Sequence, residues 1–353
     1  MTPRMRILLL PIAFLYHIVL TIRHKLYDWR ILKSTGFEKP VICVGNLNLG
    51  GTGKTPHTEY LINMLKGNYR VATLSRGYGR KTKGFQMADS QSTYESIGDE
   101  PLQYSKKFQG IMVAVDEDRV NGTRELLYSP NNADVVLLDD ALQHLRIKAG
   151  LNILLTEYQH LYCDDFLFPA GTLRDVKSAA RRAHIIVVSK SPQALSEDKK
   201  RLIIKMLNPT KEQKVFFSTL EYADFAPLNA SAGSLDAKTA ESALLFCGIA
   251  NPKPLIDKLK QQFKQVEAIT FGDHHAYAEA DIHRILDRFE NLGNAKKIIV
   301  TTEKDAARLA NSPYLCQFET APLYDLPVGV RFHEEEKFNE EILKYVRENT
   351  HHG

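Results

Sequence analysis

The chain has 353 residues, 44% of them hydrophobic and 25% charged, which is the composition of a folded protein long enough for two domains. Its 46 basic and 42 acidic side chains leave a formal net charge of +4, and nothing in that balance requires a nucleic-acid partner. The four cysteines are scattered without the spacing of a zinc site or a disulfide framework, so we expect reduced thiols in a cytosolic protein.

The N-terminal segment, residues 1–33, is predicted to be an apolar helix over 7–22 followed by a basic stretch. No small-residue cleavage site follows the apolar run, so we expect the segment to be retained. A helix of that length measures about 24 Å, less than the ~30 Å hydrocarbon core of a bilayer. Its few polar side chains fall on one narrow stripe, which favours a helix lying in the membrane interface. A helix buried in the protein and a single membrane span are the alternatives.

Short apolar runs alternate with helical stretches over residues 34–225, which predicts an α/β fold with a mostly parallel sheet flanked by helices. The predicted strands are 41–46, 70–75, 111–115, 135–140, 152–156 and 185–190. A turn-rich connector then begins a second, smaller α/β domain, predicted to span 226–353 with strands at 243–250, 266–271 and 297–302. Ligands of parallel sheets bind at the carboxyl ends of the strands.

The first predicted strand leads into a glycine-rich loop and then a helix. The loop reads Asn48, Leu49, Gly50, Gly51, Thr52, Gly53, Lys54, Thr55. It matches the Walker A pattern of P-loop proteins, except that Asn48 replaces the first glycine. The glycines leave backbone N–H groups free to surround phosphates; Lys54 would reach the β- and γ-phosphates, and the Thr55 hydroxyl would bind Mg²⁺.

Two aspartates, Asp139 and Asp140, end the predicted strand 135–140, where a Mg²⁺-bound nucleotide needs a carboxylate. A surface turn carrying two aspartates is the alternative. Residues 189–192 and 302–305 approximate the guanine-recognition pattern without matching it, so we predict ATP as the nucleotide.

Four short segments offer groups for phosphoryl transfer to an alcohol, which needs a positioned base and positive charge near the γ-phosphate. They are 75–80, 98–101 with Asp99, 169–175 with Arg174 and Asp175, and 273–275 with His274. Each segment is a weak indication by itself, because surface turns of this composition are common.

Together these motifs resemble the tetraacyldisaccharide 4′-kinases of lipid A biosynthesis, a family of the P-loop NTPase superfamily. The similarity covers almost the whole chain. Its motifs are VGN (44–46), GGTGKTP (50–56), SRGYGR (75–80), GDEP (98–101), LDDALQH (138–144), PAGTLRD (169–175), GIANP (248–252), DHH (273–275) and TTEKD (301–305). The family usually has Gly-Phe at Ala141 and Leu142, and glutamate at Asp175.

The resemblance implies a lipid kinase that transfers the γ-phosphate of ATP to the 4′-hydroxyl of tetraacyldisaccharide 1-phosphate. It implies a location on the cytoplasmic face of the bacterial inner membrane, with the lipid acceptor and the membrane surface as partners and no obligate protein partner. The smaller domain would close over the site.

The resemblance also implies a role for each matching site residue. Asp99 would be the catalytic base, supported by His274, while Lys54 and Arg174 would stabilise charge on the transferred phosphoryl group. The implied magnesium ligands are Thr55, Asp139 and Asp175, with Asp140 close by. Because Asp175 is shorter than the usual glutamate, a bridging water is the alternative to direct ligation there.

Three other functions compete with this interpretation. A partitioning-type switch ATPase has a signature lysine where this chain has Leu49, and it would not need the second domain. A kinase of a soluble metabolite would leave the N-terminal helix unexplained. The third alternative is a non-enzymatic nucleotide-binding scaffold.

Overall fold

The computed structural model describes residues 3–350 except 129, 131, 234–235, 294–295 and 311. The strands are β1 (Val41–Asn46), β2 (Val71–Ser75), β3 (Gln86–Met87), β4 (Met112–Val115), β5 (Val135–Asp139), β6 (Leu151–Glu157), β7 (Ile185–Ser189), β8 (Lys214–Tyr222), β9 (Ala226–Pro227), β10 (Ser242–Cys247), β11 (Gln265–Thr270), β12 (Lys297–Thr301), β13 (Leu323–Asp325) and β14 (Val328–Phe332). The helices are α1 (Pro3–Asp28), α2 (Lys54–Leu65), α3 (Tyr94–Ile97), α4 (Asp99–Lys107), α5 (Arg119–Tyr128), α6 (Glu197–Leu207), α7 (Ala230–Gly233), α8 (Lys253–Gln262), α9 (Glu279–Glu290), α10 (Glu303–Ala310) and α11 (Glu335–Thr350).

The larger sheet has nine strands in the order β14-β8-β7-β6-β1-β5-β2-β4-β3. The seven inner strands run parallel, and the edge strands β14 and β3 pair antiparallel with their neighbours. All residues of β1, β5 and β7 are buried, as expected for parallel strands covered on both faces. The predicted mostly parallel sheet flanked by helices is confirmed.

Helices cover both faces of this sheet. Along β1, Val41 and Cys43 point into one apolar cluster, shared with α1, α5 and α6. Ile42 and Val44 point into the cluster on the other face, shared with α2 and α11. This alternation follows from the two-residue period of a strand, and it puts the β1–α2 loop at the carboxyl edge of the sheet.

The smaller sheet has five strands in the order β11-β10-β12-β13-β9, of which only β9 is antiparallel to its neighbour. Leu255 and Leu259 of α8 pack on one face, and Ile282 and Ile285 of α9 pack on the other. The predicted second α/β unit is therefore present.

The end of the chain corrects the predicted boundary, which placed all of 226–353 in the smaller domain. Strand β14 pairs with β8 of the larger sheet, from Val328 opposite Tyr222 to Phe332 opposite Ser218. Helix α11 then packs on the same domain, where the Tyr345 hydroxyl lies 3.1 Å from the Val41 nitrogen. The chain returns because the apolar face of α11 completes the cover of the larger sheet.

Helix α1 is longer than predicted, since it continues through the basic stretch to Asp28. From residue 6 onward, the only buried apolar side chains of α1 are those of Ala13 and Leu20, and Leu8 for example is 77% exposed. The alternative of a helix buried in the protein is therefore wrong. Residues 6–28 are long and apolar enough to cross a membrane, and the helix is compatible with membrane association.

Candidate active site

The glycine-rich loop connects β1 to α2, and its glycines adopt the backbone angles that the sequence predicts. Gly50 and Gly53 have φ angles of 114° and 86°. Residues with a Cβ atom rarely adopt such positive φ angles, whereas glycine does so readily. Helix α2 begins at Lys54, so its unpaired N-terminal N–H groups face the loop. The predicted loop 48–55 is therefore a strand–loop–helix phosphate cradle in its geometry.

Asn48 takes the place of the usual first glycine because its side chain joins the phosphate loop to the segment 165–173. Its amide nitrogen lies 3.2 Å from Asp165 Oδ2 and 3.2 Å from Thr172 Oγ1. The next residue, Leu49, donates its backbone N–H to the Thr172 carbonyl at 2.6 Å. Asn48 is absent from the positive-φ positions, so no glycine is required there.

Two side chains that the sequence analysis did not identify hold the loop from behind. His57 Nδ1 lies 2.6 Å from the Gly53 carbonyl and Nε2 lies 2.9 Å from Ser218 Oγ. Burial lowers the pKa of His57 to about 4, so the neutral ring donates from Nδ1 and accepts at Nε2. Ser189 Oγ donates to the Thr52 carbonyl at 2.8 Å.

Lys54, Asp140 and Arg174 meet in front of the loop. Lys54 Nζ lies 3.7 Å from Asp140 Oδ2, and Arg174 Nη1 lies 2.9 Å from the same oxygen. Asn46 accepts from both cations, from Lys54 at 3.4 Å and from Arg174 at its carbonyl at 3.2 Å. Burial alone would raise the pKa of Asp140, but the charges of Lys54 and Arg174 outweigh it and keep that pKa below its usual range.

Asp139 is buried behind Asp140 and is 4% exposed. Its Oδ2 accepts a hydrogen bond of 2.9 Å from the Tyr104 hydroxyl, whereas its buried Oδ1 has no partner in the structure. Burial, together with the charges of Glu100 and Asp140, raises the pKa of Asp139 to about 6. An unpartnered buried carboxylate oxygen at this sheet edge is suited to a cation.

The residues at this edge fit a magnesium ion. In the part of the chain that the structure describes, no group of three or more His, Cys, Asp or Glu side chains is arranged to hold a metal. Mg²⁺ in nucleotide sites needs fewer protein ligands, since it is held by one or two carboxylates, phosphates and water. Asp139, Asp140 and Thr55 supply such a set at the end of β5 and the start of α2.

Asp175 does not join this set, which corrects its prediction as a magnesium ligand. Its Oδ1 lies 2.9 Å from Nε2 of His24 in α1, and its Oδ2 accepts from Arg182 at 2.9 Å. With 1% exposure, both oxygens are committed to these partners. Asp175 follows Arg174 in the motif, but the two side chains have different partners: Arg174 contacts Asp140, and Asp175 contacts His24 and Arg182.

Asp99 and His274 come together from the two domains, as the prediction of a shared site requires. Asp99 begins α4 of the larger domain, and its Oδ2 lies 2.6 Å from Nδ1 of His274 in the smaller domain. His274 lies in a turn with a φ of 58°, and its ring contacts that of Tyr78 with the centroids 5.1 Å apart.

Arg308 is a third member of this cluster, and the sequence analysis did not identify it. It is 3% exposed and donates to Asp99 Oδ2 at 2.6 Å and to Asp305 Oδ1 at 2.6 Å. Asp305 in turn accepts from the Gly248 nitrogen at 3.1 Å. The motifs at 248–252 and 301–305 therefore meet behind Asp99. The sequence feature that could have identified Arg308 is its position, three residues after the TTEKD motif.

The motif 75–80 packs against the turn before α4. Gly77 has a φ of 68°, and a Cβ at this position would lie 2.6 Å from the Ile97 carbonyl. Gly98, with a φ of 90°, directly precedes Asp99. This close packing of two backbones fixes the position of the Asp99 side chain.

Cationic side chains surround His144 beside the aspartates. Burial, followed by the charges of Arg119 and Arg76, lowers the pKa of His144 to about 4. Burial lowers the pKa of Arg119 to about 10, against the charges of Asp139 and Asp140, which act in the opposite direction. His144 therefore lies among arginine side chains next to Asp139 and Asp140.

Comparisons with known proteins agree with this geometry. The profile of the family described as Tetraacyldisaccharide-1-P 4′-kinase matches residues 5–347. The Tetraacyldisaccharide 4′-kinase of Flavobacterium johnsoniae is 46% identical over 98% of this chain and 98% of its own length. That of Bacteroides thetaiotaomicron is 45% identical over 97% of this chain and 93% of its own.

Among solved structures, LpxK from Aquifex aeolicus in complex with ATP is similar to this chain with a TM-score of 0.74. It is 28% identical, and the match covers 97% of this chain and 99% of that protein. Profile, relatives and fold agree over nearly the full length, so the chain belongs to the tetraacyldisaccharide 4′-kinase family.

Proposed function

We propose that this member of the family transfers the γ-phosphate of ATP to the 4′-hydroxyl of a tetraacyldisaccharide 1-phosphate. The observation that carries the proposal is the Asp99–His274 hydrogen bond of 2.6 Å between the two domains. A phosphate loop alone serves hydrolases and kinases alike. A carboxylate of one domain paired with a histidine of the other supplies a place for an acceptor hydroxyl.

In the proposed site, the backbone N–H groups of 50–55 and the N-terminus of α2 hold the β- and γ-phosphates. Lys54 and Arg174 neutralise charge that develops on the transferred group. Both cations now contact Asp140 and Asn46, so the γ-phosphate would compete with these oxygens for them. Thr55, Asp139 and Asp140 would hold Mg²⁺, which supplies additional charge neutralisation on the phosphates.

Asp99 would orient the acceptor hydroxyl and take its proton. The hydrogen bonds from His274 and Arg308 reach its Oδ2 only, which leaves Oδ1 for the substrate. Burial raises the pKa of Asp99, but these two hydrogen bonds outweigh it and hold the carboxyl group ionised. The transition state of phosphoryl transfer is loose, so an oriented hydroxyl matters more than a strongly basic acceptor for its proton.

The contact between the domains would keep water from the γ-phosphate. Helix α4 of the larger domain pairs with α10 of the smaller through Lys304–Glu100 and Lys107–Glu303. These ion pairs flank the bond between Arg308 and Asp99. Closure of this kind favours transfer to the lipid over hydrolysis of ATP.

The acceptor would approach from the bilayer. Helix α1 exposes apolar side chains along residues 7–22 and carries basic residues at its carboxyl end. Such a helix would lie in the interface of the inner membrane, on its cytoplasmic face, with cations toward the headgroups. The positive charges around His144 would then attract the phosphate of the lipid disaccharide.

Incubation with γ-labelled ATP, Mg²⁺ and the disaccharide lipid tests the proposal against its competitors. We expect label in the lipid and loss of that labelling in Asp99→Asn. A switch ATPase would release labelled phosphate and leave the lipid unlabelled. A metabolite kinase would ignore the lipid, and a scaffold would neither hydrolyse nor transfer.

A further inference from the structure

The segment 165–173, called here the aromatic turn, exposes apolar side chains in a part of the larger domain that the proposed chemistry does not use. Phe166 is 43% exposed and Phe168 is 54% exposed. Leu49 of the phosphate loop, which is bonded to the turn, is 51% exposed. Outside α1 and its basic stretch, few large apolar side chains of the described residues are as exposed. These three lie on two segments that a backbone hydrogen bond from Leu49 to Thr172 joins.

The aromatic turn is built to display these rings. Asp165 accepts hydrogen bonds from the backbone nitrogens of Phe166 at 2.7 Å and Thr172 at 3.0 Å. Two backbone hydrogen bonds close the turn: the Phe168 N–H donates to the Leu173 carbonyl at 2.8 Å, and the Leu173 N–H donates to the Phe166 carbonyl at 3.0 Å. A Cβ at Gly171 would collide with the Phe166 carbonyl. These hydrogen bonds hold two exposed phenylalanine rings in place, and an ordered apolar patch of this kind is typical of an interaction site.

The aromatic turn lies beside the start of α1, and cationic side chains flank its Phe166 ring. The guanidinium of Arg6 lies 5.5 Å from the Phe166 ring centroid, and the Lys177 ammonium lies 5.8 Å from the same centroid. Exposed apolar residues of α1 follow directly after Arg6, from Ile7 onward. Aromatic rings flanked by cations at the edge of an apolar surface are typical of the headgroup level of a bilayer.

We propose that the aromatic turn is a second membrane contact, which inserts Phe166 and Phe168 into the bilayer interface next to α1. The inference rests on the proposed membrane attachment of α1 and extends that surface. Because Leu49 and Asn48 connect the turn to the phosphate loop, this contact would set the height of the loop above the lipid headgroups. An acceptor anchored by its acyl chains would then present its sugar at a fixed distance from the nucleotide.

Tryptophan fluorescence tests the depth of the turn directly. The chain has one tryptophan, Trp29, so Phe168→Trp in a Trp29→Phe background gives a probe at the turn. The full-length protein is mixed with vesicles of phosphatidylethanolamine and phosphatidylglycerol that contain bromine-labelled acyl chains. We expect a blue shift of emission and quenching at position 168.

The native Trp29 separates this inference from the attachment of α1. Quenching of Trp29 in the unaltered protein with none at position 168 would leave α1 attached and overturn the role of the turn. Quenching at neither position would overturn both proposals.

Sedimentation with the same vesicles gives a second test. We expect Phe166→Ser/Phe168→Ser to partition about tenfold more weakly than the unaltered chain, because two apolar side chains are removed. Leu202→Ser/Met206→Ser is the matched control, since it removes two exposed apolar side chains from α6. An equal loss in both double variants would overturn the proposal.

Two other partners would give different results. If the turn binds acyl chains of the acceptor, Phe166→Ser/Phe168→Ser raises KM for a detergent-solubilised acceptor and leaves vesicle partitioning unchanged. If the turn binds a second copy of the chain, the unaltered protein self-associates without lipid and the double variant does not. Either result would overturn the membrane contact.

Discussion

Asp99 is the proposed catalytic base, and its hydrogen-bond partners keep its carboxyl group ionised. His274 and Arg308 hold its pKa well below the ordinary range despite burial. Replacing the carboxylate by an amide keeps the shape of the side chain but removes the proton acceptor. We expect Asp99→Asn to lower kcat by ~10²-fold or more, with the ATP dissociation constant little changed. Steady-state kinetics and nucleotide titration measure both quantities, and a near-normal kcat would remove Asp99 from the proposed role.

Arg308 contacts Asp99 but is not placed against the substrate, so we treat it as a positioning residue. Loss of its charge would let the pKa of Asp99 rise toward its ordinary value. Protonation of the base would then occur at higher pH, so Arg308→Gln should move the acid limb of kcat/KM upward in pH and lower kcat by about tenfold.

Two further variants separate this role of Arg308 from a merely structural one. Arg308→Lys should restore part of the low-pH activity, because it keeps a charge near Asp99. Lys107→Gln breaks the ion pair with Glu303 in the same interface and should leave the pH profile unmoved. An unmoved profile in Arg308→Gln would contradict the positioning role.

Asp139 illustrates a conflict between function and stability. Its folded-state pKa of about 6 lies above its ordinary value of 3.8. The folded state therefore binds the proton more tightly, and unliganded stability falls as pH rises from about 4 to about 6. The shift corresponds to a loss of roughly 3 kcal/mol above that window.

Asp139→Asn removes this titration. We expect the unliganded variant to melt at a higher temperature than the unaltered chain at pH 8, and the difference to vanish near pH 4. Its kinase activity should be strongly reduced, because a proposed magnesium ligand is lost. Thermal unfolding at several pH values, without nucleotide, measures the difference. A variant that is less stable at pH 8 would contradict the assignment.

At the scale of elements, the loop 75–80 positions α4 through one glycine. Gly77 and Gly79 both have positive φ angles, but only a Cβ at Gly77 would collide with the Ile97 carbonyl. Backbone strain should cost about 1 kcal/mol of stability in both substitutions to alanine, and the collision adds to that cost at Gly77.

Only Gly77→Ala should also displace Asp99, and we expect it to lower kcat by about tenfold. Gly79→Ala is its matched control, with open space around the added carbon. Melting temperatures and kcat of the two variants measure the difference. Equal kcat values would show that the packing of this loop does not set the position of Asp99.

The elements that the sequence predicted well are those whose cause is local. Apolar runs of β-branched residues mark the buried strands β1, β5 and β7, and a glycine-rich segment between strand and helix marks the phosphate loop. Strand β14 was missed because it lies at an edge and only one of its five residues is buried, so it lacks a continuous apolar run. Its partner β8 lies about a hundred residues earlier, and pattern analysis does not reach across that separation.

The site residues divide in the same way. Asp99, His274, Lys54 and Arg174 were predicted because motifs carry them. In the structure Asp99 contacts His274, and Lys54 and Arg174 both contact Asp140. Asp175 was predicted with the wrong partner and Arg308 was not predicted, because the contacts of both depend on the direction of a side chain after folding. That direction is set by contacts with α1 in one case and across the domain interface in the other.

At the scale of the whole molecule, α1 is bonded to the site as well as exposed for the membrane. The Tyr16 hydroxyl donates to the Arg174 carbonyl at 3.2 Å, and Arg23 donates to the Gln143 carbonyl at 3.0 Å. His24 holds the buried carboxylate of Asp175. The helix therefore connects the proposed bilayer surface to the loop that carries Arg174, and damage to this connection should affect catalysis without affecting membrane binding.

His24→Ala isolates this connection. It removes one of the two side-chain partners of Asp175, a carboxylate with almost no access to water, which should cost about 1–3 kcal/mol of stability. We expect several-fold lower kcat on a detergent-solubilised acceptor, because the segment 169–175 loosens next to the phosphate loop. Vesicle partitioning should stay within about twofold of the unaltered chain, since the apolar surface of α1 is intact.

The matched control is His17→Ala, which removes an exposed histidine from the same helix. It should change neither kcat nor melting temperature. If the two histidine variants behave alike in both measurements, α1 serves attachment only. A selective loss in His24→Ala would instead make the helix part of the catalytic framework. The exposed side chains of α1 would then meet the bilayer, while Tyr16 and His24 hold the segment that carries Arg174.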